Sequence, residues 1–265
     1  MTINALIKRC CEISLDRLFQ VSPLSVYNLE RVIRGSAAIS VAAPLGGRVE
    51  LHPISFAEYS RFLRLLSKEP ETIRWIDGFG PDAVLLDIGA NVGVYSIYTL
   101  LRHAQARVIS LEPEPMNFSR LVDNLQRTDP LRAVAYPFAV SANTALGQLA
   151  QNRPGEYGTS FNQLGGTNTF KVGCFVCSVD DLIDNFGIPV PTHIKIDVDG
   201  IEVDIVKGMS RTLRRPEVAS VLVESQSAEM TSQLVRLFAE ASFVQSHASI
   251  EQSGNQIFVK RAVRG

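Results

Sequence analysis

VLLDIGANVGVYS, Val84 to Ser96, decides how the rest of the chain reads. Buried-looking strand residues run into Asp87, a glycine elbow follows, and an amphipathic segment begins near Val92. The same strand-then-helix unit recurs downstream: RVISLEP before PMNFSRLVDNLQRT, HIKIDV before IEVDIVKGMSRTL, and ASVLVES before EMTSQLVRLFAEA. RAVAYPFAV and FKVGCFVCSV read as further strands, and DDLIDNFG as a short helix. Such alternation predicts an α/β fold with a largely parallel sheet covered on both faces. The end of the chain breaks it: FVQSHASI and NQIFVKR flank the polar turn EQSGN with no helix between them, which predicts an antiparallel hairpin at the sheet edge.

Upstream of Ala83 the pattern is absent. Ile3, Leu6, Ile7, Ile13, Leu15 and Leu18 suggest one face of an amphipathic docking helix, AAISVAA and GRVELHPI suggest short strands, and Phe56 to Ile73 suggest one or two helices interrupted at Pro70. The expected organisation is an N-terminal extension or cap over residues 1–80 and one main domain over 81–265. Gln151 to Thr169 is the long polar, Gly-rich loop, and its Tyr157, Ser160, Phe161 and Asn162 are candidates to close over a substrate.

Composition narrows the function classes. A net charge of −1 gives no general attraction to nucleic acid or anionic membrane. No apolar run reaches the roughly 18 residues of a membrane span, and charges interrupt the opening segment where a signal peptide would be apolar. A cytoplasmic protein without stable membrane insertion is the expectation; association into a homo-oligomer stays open. Cys174 and Cys177 have C-x-x-C spacing, but on a strand that spacing sends the side chains to opposite faces, so reduced neighbours are expected there and at Cys10-Cys11.

In a doubly wound sheet, ligands bind beyond the carboxyl ends of the strands, where Asp87 to Gly93 lies. Gly89 and Gly93 allow a tight turn and close approach, and Asn91 tolerates unusual dihedrals or caps the helix. An acid in place of the first glycine of G-x-G-x-x-G disfavours pyrophosphate and favours a cationic or hydroxyl-bearing ligand. Glu112 ends the next strand, where it could accept from ribose hydroxyls. Asp87 near an ammonium and Glu112 on a ribose describe S-adenosylmethionine. Glu112 would serve the ribose of NAD equally well, so an NAD-linked oxidoreductase and a nucleoside-binding module without catalysis are the alternatives.

VLLDIGANVGVYS, ISLEPEPMNFSRLVDNL, SVDDLI and HIKIDVDGIEVDIVKG followed by VLVE together resemble the FkbM-type methyltransferases, within the class of S-adenosylmethionine-dependent enzymes built on a Rossmann-like seven-stranded sheet. Asp199 stands where that family more often shows Glu. The resemblance implies methyl transfer to an oxygen of a small molecule or sugar, with Asp87, Gly89, Asn91 and Gly93 at the methionine end and Glu112 on the ribose. It also implies Ala139, Val140 and Ser141 near adenine.

Methyl transfer needs alignment and, for a hydroxyl acceptor, removal of a proton. Asp197 and Glu224 end adjacent strands and are the candidate catalytic acids, or a pair of oxygen ligands for a magnesium-type ion. Lys195 shares its strand face with Asp197, either as the ion-pair partner that orients it or as a buried lysine of shifted pKa. Glu202 falls in the first turn of a helix, and His193 and His52 are lesser candidates for a base.

Overall fold

The structure, a computed structural model, describes residues 39–42, 48–151, 157–158, 163–165, 170–246 and 254–261. The opening amphipathic stretch, Cys10-Cys11 and Ser160 to Asn162 lie outside them. β1 (Ile39–Ala42) and β2 (Arg48–Leu51) form an antiparallel pair, followed by α1 (Phe56–Leu63), α2 (Leu65–Lys68) and α3 (Pro70–Asp77). Pro70 occupies the first turn of α3, where its missing N–H costs nothing. The alternating region comprises β3 (Val84–Ile88), α4 (Val94–Arg102), β4 (Arg107–Leu111), α5 (Pro115–Thr128) and β5 (Ala133–Tyr136). After an insertion, α6 (Val179–Asp184), β10 (His193–Ile196), α7 (Glu202–Lys207), β11 (Ser220–Glu224), α8 (Ala228–Glu240), β12 (Phe243–Gln245) and β13 (Asn255–Lys260) complete it.

Seven strands form the main sheet in the order β12-β13-β11-β10-β3-β4-β5. β10 and β3 lie at its centre and all pairings from β11 to β5 are parallel. The hairpin expected at the C-terminal end is present, with β13 inserted antiparallel between β11 and β12.

One expectation needs correction. RAVAYPFAV is not one strand: Pro137, which has no N–H for a ladder, separates β5 from β6 (Phe138–Val140). β6 leaves for a second, four-stranded sheet, order β6-β9-β7-β8, with β7 (Ala145–Ala150), β8 (Gln163–Leu164) and β9 (Lys171–Cys177). Cys174 and Cys177 are free thiols on β9, the first half-buried and the second buried.

Strand parity divides the core. Val84, Leu86, Ile88, Ile194 and Ile196 join the cluster under α6 to α8. Leu85 and Val108 join the opposite cluster, which also takes Leu51, Phe62, Leu65, Ile73 and Ile76 from the segment before β3. A buried ion pair ties that segment to the same face: Arg120 of α5 meets Glu58 of α1 at 3.0 Å and also donates to the His52 carbonyl.

Candidate active site

The face that carries Leu85 also carries a buried polar belt. Asp87 and Lys195 are register partners across β3 and β10, so both side chains emerge on that face. Ser96, in the first turn of α4, donates to Asp87 Oδ2 at 2.6 Å and sits 2.8 Å from Ser110 of β4. The other carboxylate oxygen, Asp87 Oδ1, is buried with no hydrogen-bond partner among the described residues. Burial pushes the Asp87 pKa up, with Lys195 opposing. A buried acceptor without a donor costs about 1–3 kcal/mol, so among the described residues this atom is left unsatisfied.

The elbow after β3 has the conformation its residue types anticipate. Gly89 (φ 77°), Asn91 (φ 52°) and Gly93 (φ 87°) are all left-handed. Gly89 is also a point of close approach, since a Cβ there would lie 2.1 Å from the Asp197 carbonyl oxygen. Asn91 Oδ1 accepts from the Val92 amide at 3.0 Å, and α4 starts with Gly93 at its N-cap.

Two clefts meet at Gly89. One, with about 380 Å³ of open space, is lined by Ile88, Pro113, Phe138, Ala139, Val140 and Ile201, with Asp199 at its edge. The other, with about 430 Å³, is polar and includes Asp87, Asn91, Tyr95, Lys195 and Asp197. Ser141 lies just past the first: its amide donates to the Cys177 carbonyl, and its own carbonyl is where a Gly208 Cβ would intrude. Glu112, at the end of β4, is buried, and its two oxygens accept from the amides of Glu114 (2.9 Å) and Asn91 (2.8 Å). Each carboxylate oxygen has a second lone pair, so the bonds that order the elbow leave acceptor capacity for a hydroxyl. Burial raises the Glu112 pKa to about 7, and those amide bonds hold it back from rising further.

Lys195 is buried and donates to Asp197 Oδ2 at 2.6 Å, so the ion-pair alternative describes it. Burial would lower the lysine pKa, but Asp197, Asp87 and Glu69 together raise it. Asp197 keeps about a third of its side chain exposed, 32%, and Lys195 holds its pKa below the usual carboxylate range against burial. Glu224 behaves in the opposite way: burial and then the Asp197 charge push it up to about 7. The two strand-end acids are thus separated by environment into a fixed anion and a group poised near neutral pH.

The expectation that Asp197 and Glu224 hold a magnesium-type ion finds no support in the arrangement of the described residues. Asp197 already holds a cation, and among the described residues no group of three or more His, Cys, Asp or Glu side chains could hold a metal ion. His193 lies at the opposite end of β10, stacked 3.8 Å from Phe79 and 2.7 Å from Ser220 Oγ, with burial pulling its pKa down to about 4. The exposed His52 takes part through its backbone carbonyl.

Several site residues were missed in the sequence. Tyr95 reads as a core position of an amphipathic helix, yet its ring lies 4.9 Å from Lys195 Nζ. Arg61, Leu65 and Lys68 reach the polar cleft from α1 and α2, and Glu69 joins them through Lys68 at 2.6 Å. No motif marks these four. Phe138 reaches the apolar cleft only because Pro137 redirects the chain.

Three acids raised to near neutral pH set a pH dependence. Glu112, Glu202 and Glu224 each stand near 7 against an ordinary 4.5, so the folded chain binds their protons more tightly than the unfolded chain. Their contribution is full below about 4.5 and is lost as pH rises through about 7. The side chain of Glu202 is fully enclosed, with Oε2 lacking a partner among the described residues, so its share is about 3 kcal/mol. Denaturant unfolding should show Glu202→Gln more stable than wild type at pH 8 by up to that amount and equal to it at pH 4. A pH-independent difference would contradict this linkage.

A seven-stranded sheet of this order, with paired clefts beyond its β3 and β10 ends, is the Rossmann-like architecture of methyltransferases. The chain belongs to the family described as the methyltransferase FkbM domain, whose model matches residues 87–246. It is 26% identical over 208 residues to the hexuronic acid methyltransferase AglP of Haloferax volcanii, covering 78% of this chain and 83% of that protein. It is 24% identical to the methyltransferase sdnD of Sordaria araneosa, over 47% of this chain and 60% of that one. The methyltransferase FkbM from Methylobacillus flagellatus KT shares the fold, with a TM-score of 0.51 and 19% identity over 68% of this chain; the match spans only 44% of that structure. Among the described residues, no helix is long and apolar enough to cross a membrane.

Proposed function

We propose that the protein transfers a methyl group from S-adenosylmethionine to a hydroxyl of a small acceptor such as a sugar. The observation that carries this is Asp87 Oδ1, a buried acceptor without a partner among the described residues, belonging to a residue of the polar cleft, which meets an apolar cleft at Gly89. A ligand with an ammonium at one end and an aromatic base at the other suits both clefts, and the Asp87 carboxylate beside the elbow disfavours a pyrophosphate. The 26% identity to a hexuronic acid methyltransferase supports a sugar-type acceptor.

When bound, S-adenosylmethionine supplies an electrophilic methyl: the acceptor oxygen forms the new C–O bond and the C–S electron pair stays on sulfur. Glu224, near pH 7 in proton affinity, takes the hydroxyl proton. Lys195 holds Asp197 in one orientation, and Asp197 positions the acceptor by a hydrogen bond. Phe138, Val140 and Ile201 enclose the base, and Glu112 accepts from the ribose.

Calorimetric titration with S-adenosylmethionine and, in parallel, NAD tests this reading. Binding of the first alone is expected, weakened about 10- to 100-fold in Asp87→Asn, which loses a charge-assisted hydrogen bond. Binding of NAD alone, or of neither by folded protein, would overturn it.

A further inference from the structure

Glu224 faces the helices that precede the family-matched residues. The β10–β11 ladder pairs Lys195 with Leu222, and side chains two residues apart share a sheet face, so Glu224 emerges on the face that carries Asp87 and Lys195. Directly opposite Glu224 in the next ladder stands Asn255 of β13, at the roughly 5 Å Cβ spacing of facing strand residues. Asn255 is buried, and its side-chain nitrogen reaches out of the sheet to α3 and the residue before it: 2.9 Å to Glu71 Oε1, 3.4 Å to Glu69 Oε2 and 3.4 Å to Thr72 Oγ1. Glu69, at the joint between α2 and α3, is thus separated from Glu224 by one side chain. Glu69 is itself buried and held from several sides: Lys68 donates to its Oε1 at 2.6 Å, Thr72 to its Oε2 at 3.2 Å, and the hydroxyl of Tyr95 on α4 bonds to the same carboxylate. Burial would raise the Glu69 pKa, but Lys195 and then Lys68 hold it below the ordinary carboxylate range, so it stands as an anion beside Asp87 and Asp197 around the Lys195 ammonium. Glu224 responds to this cluster: burial and then Asp197 push it up to about 7, Lys195 opposes, Glu69 adds to the rise and Lys68 subtracts from it.

We propose that Glu69 is a positioning residue for methyl transfer: its carboxylate, fixed by Lys68, Thr72 and Tyr95 and facing Glu224 across Asn255, lets the helices before the family-matched residues control the charge state of the base. This role rests on the reading of Glu224 as that base. Without the Glu69 charge, Glu224 would give up its proton more readily and take a hydroxyl proton less readily, so a base matched to neutral pH depends on the cap being docked. The family model begins at residue 87, and Glu69 lies outside it. The segment before the family domain therefore acts on the chemistry as well as packing against the sheet.

Carbon-13 NMR titration of the full chain, labelled at the glutamate carboxyl groups, tests this without cofactor or acceptor; the resonance missing from Glu224→Gln belongs to Glu224. In wild type it should titrate near pH 7. Glu69→Gln should move that midpoint down by at least about half a pH unit, and Lys68→Met should move it up. Glu71→Gln, which removes a charge from the same helix and keeps an oxygen for Asn255, should leave it in place. A midpoint that Glu69→Gln does not move, or that Glu71→Gln moves as far, would overturn the role of Glu69 and leave Glu224 as the base. If Glu69→Gln does not fold, Lys68→Met decides, because the Lys68 side chain is 47% exposed and its loss leaves the core intact; an unmoved midpoint there would overturn the role as well. A wild-type midpoint at the ordinary 4.5 would remove the reading of Glu224 as the base itself.

Discussion

Gly89→Ala should cost about 3–5 kcal/mol of stability and at least about 100-fold in cofactor affinity. Two effects add. At φ 77° a Cβ is strained by about 1–2 kcal/mol, and the same Cβ would sit 2.1 Å from the Asp197 carbonyl oxygen and 3.0 Å from Val198 Cγ1. The backbone oxygen cannot rotate aside as a side chain can, so the end of β10 has to move, at about 1–3 kcal/mol. That movement deforms the Gly89 elbow at which the two clefts join, and about 2.7 kcal/mol of lost ligand contact there is roughly 100-fold in affinity. Gly187→Ala is the matched control: its φ is 71° and its added Cβ meets nothing within 4 Å, so it should show the strain alone, about 1 kcal/mol, with unchanged cofactor affinity. Similar losses of affinity in the two variants would show that the crowding against Asp197 does not matter.

Lys195→Met should lower kcat by about 1000-fold in the folded enzyme and destabilise it by about 3–5 kcal/mol. Lys195 is buried, 1% exposed, at 2.6 Å from Asp197, and its charge also lowers the pKa values of Asp87 and Glu69. Without it the buried Asp87 and Glu69 must take up protons or stand uncompensated, and the part-exposed Asp197 loses its cation. Asp197 then loses the partner that fixes its orientation. The double variant Lys195→Met/Asp197→Asn should recover stability relative to Lys195→Met, because the unpaired carboxylate leaves with its partner, but should not recover turnover. Lys195→Arg should fail to rescue, since a planar guanidinium does not fit a space shaped around one ammonium over the Tyr95 ring. Wild-type kcat in folded Lys195→Met would reduce the lysine to a structural role.

How much of the site was legible depends on whether its residues lie in one continuous motif. Asp87, Gly89, Asn91 and Gly93 are a local solution to a turn between a buried strand and a helix, so spacing and residue type disclose it. Strand parity likewise places Lys195 with Asp197, and strand ends place Glu112 and Glu224. Ser141 shows the limit of counting along the chain, because a second sheet begins at Phe138 and turns Ala139 and Val140, rather than Ser141, into the lining.

The sequence by itself determined the alternation of buried strands and amphipathic helices, the closing hairpin, the left-handed elbow and the acids at the strand ends, since each follows from dihedral preference or period over a few residues. Only the tertiary structure decided that Asp197 is held ionised by Lys195 while Glu224 is raised to about 7, that Asp87 keeps one oxygen without a partner among the described residues, and that Arg61, Lys68 and Glu69 border the same site. Those properties depend on burial and on charges brought together from distant stretches of chain, and neither can be read from local spacing.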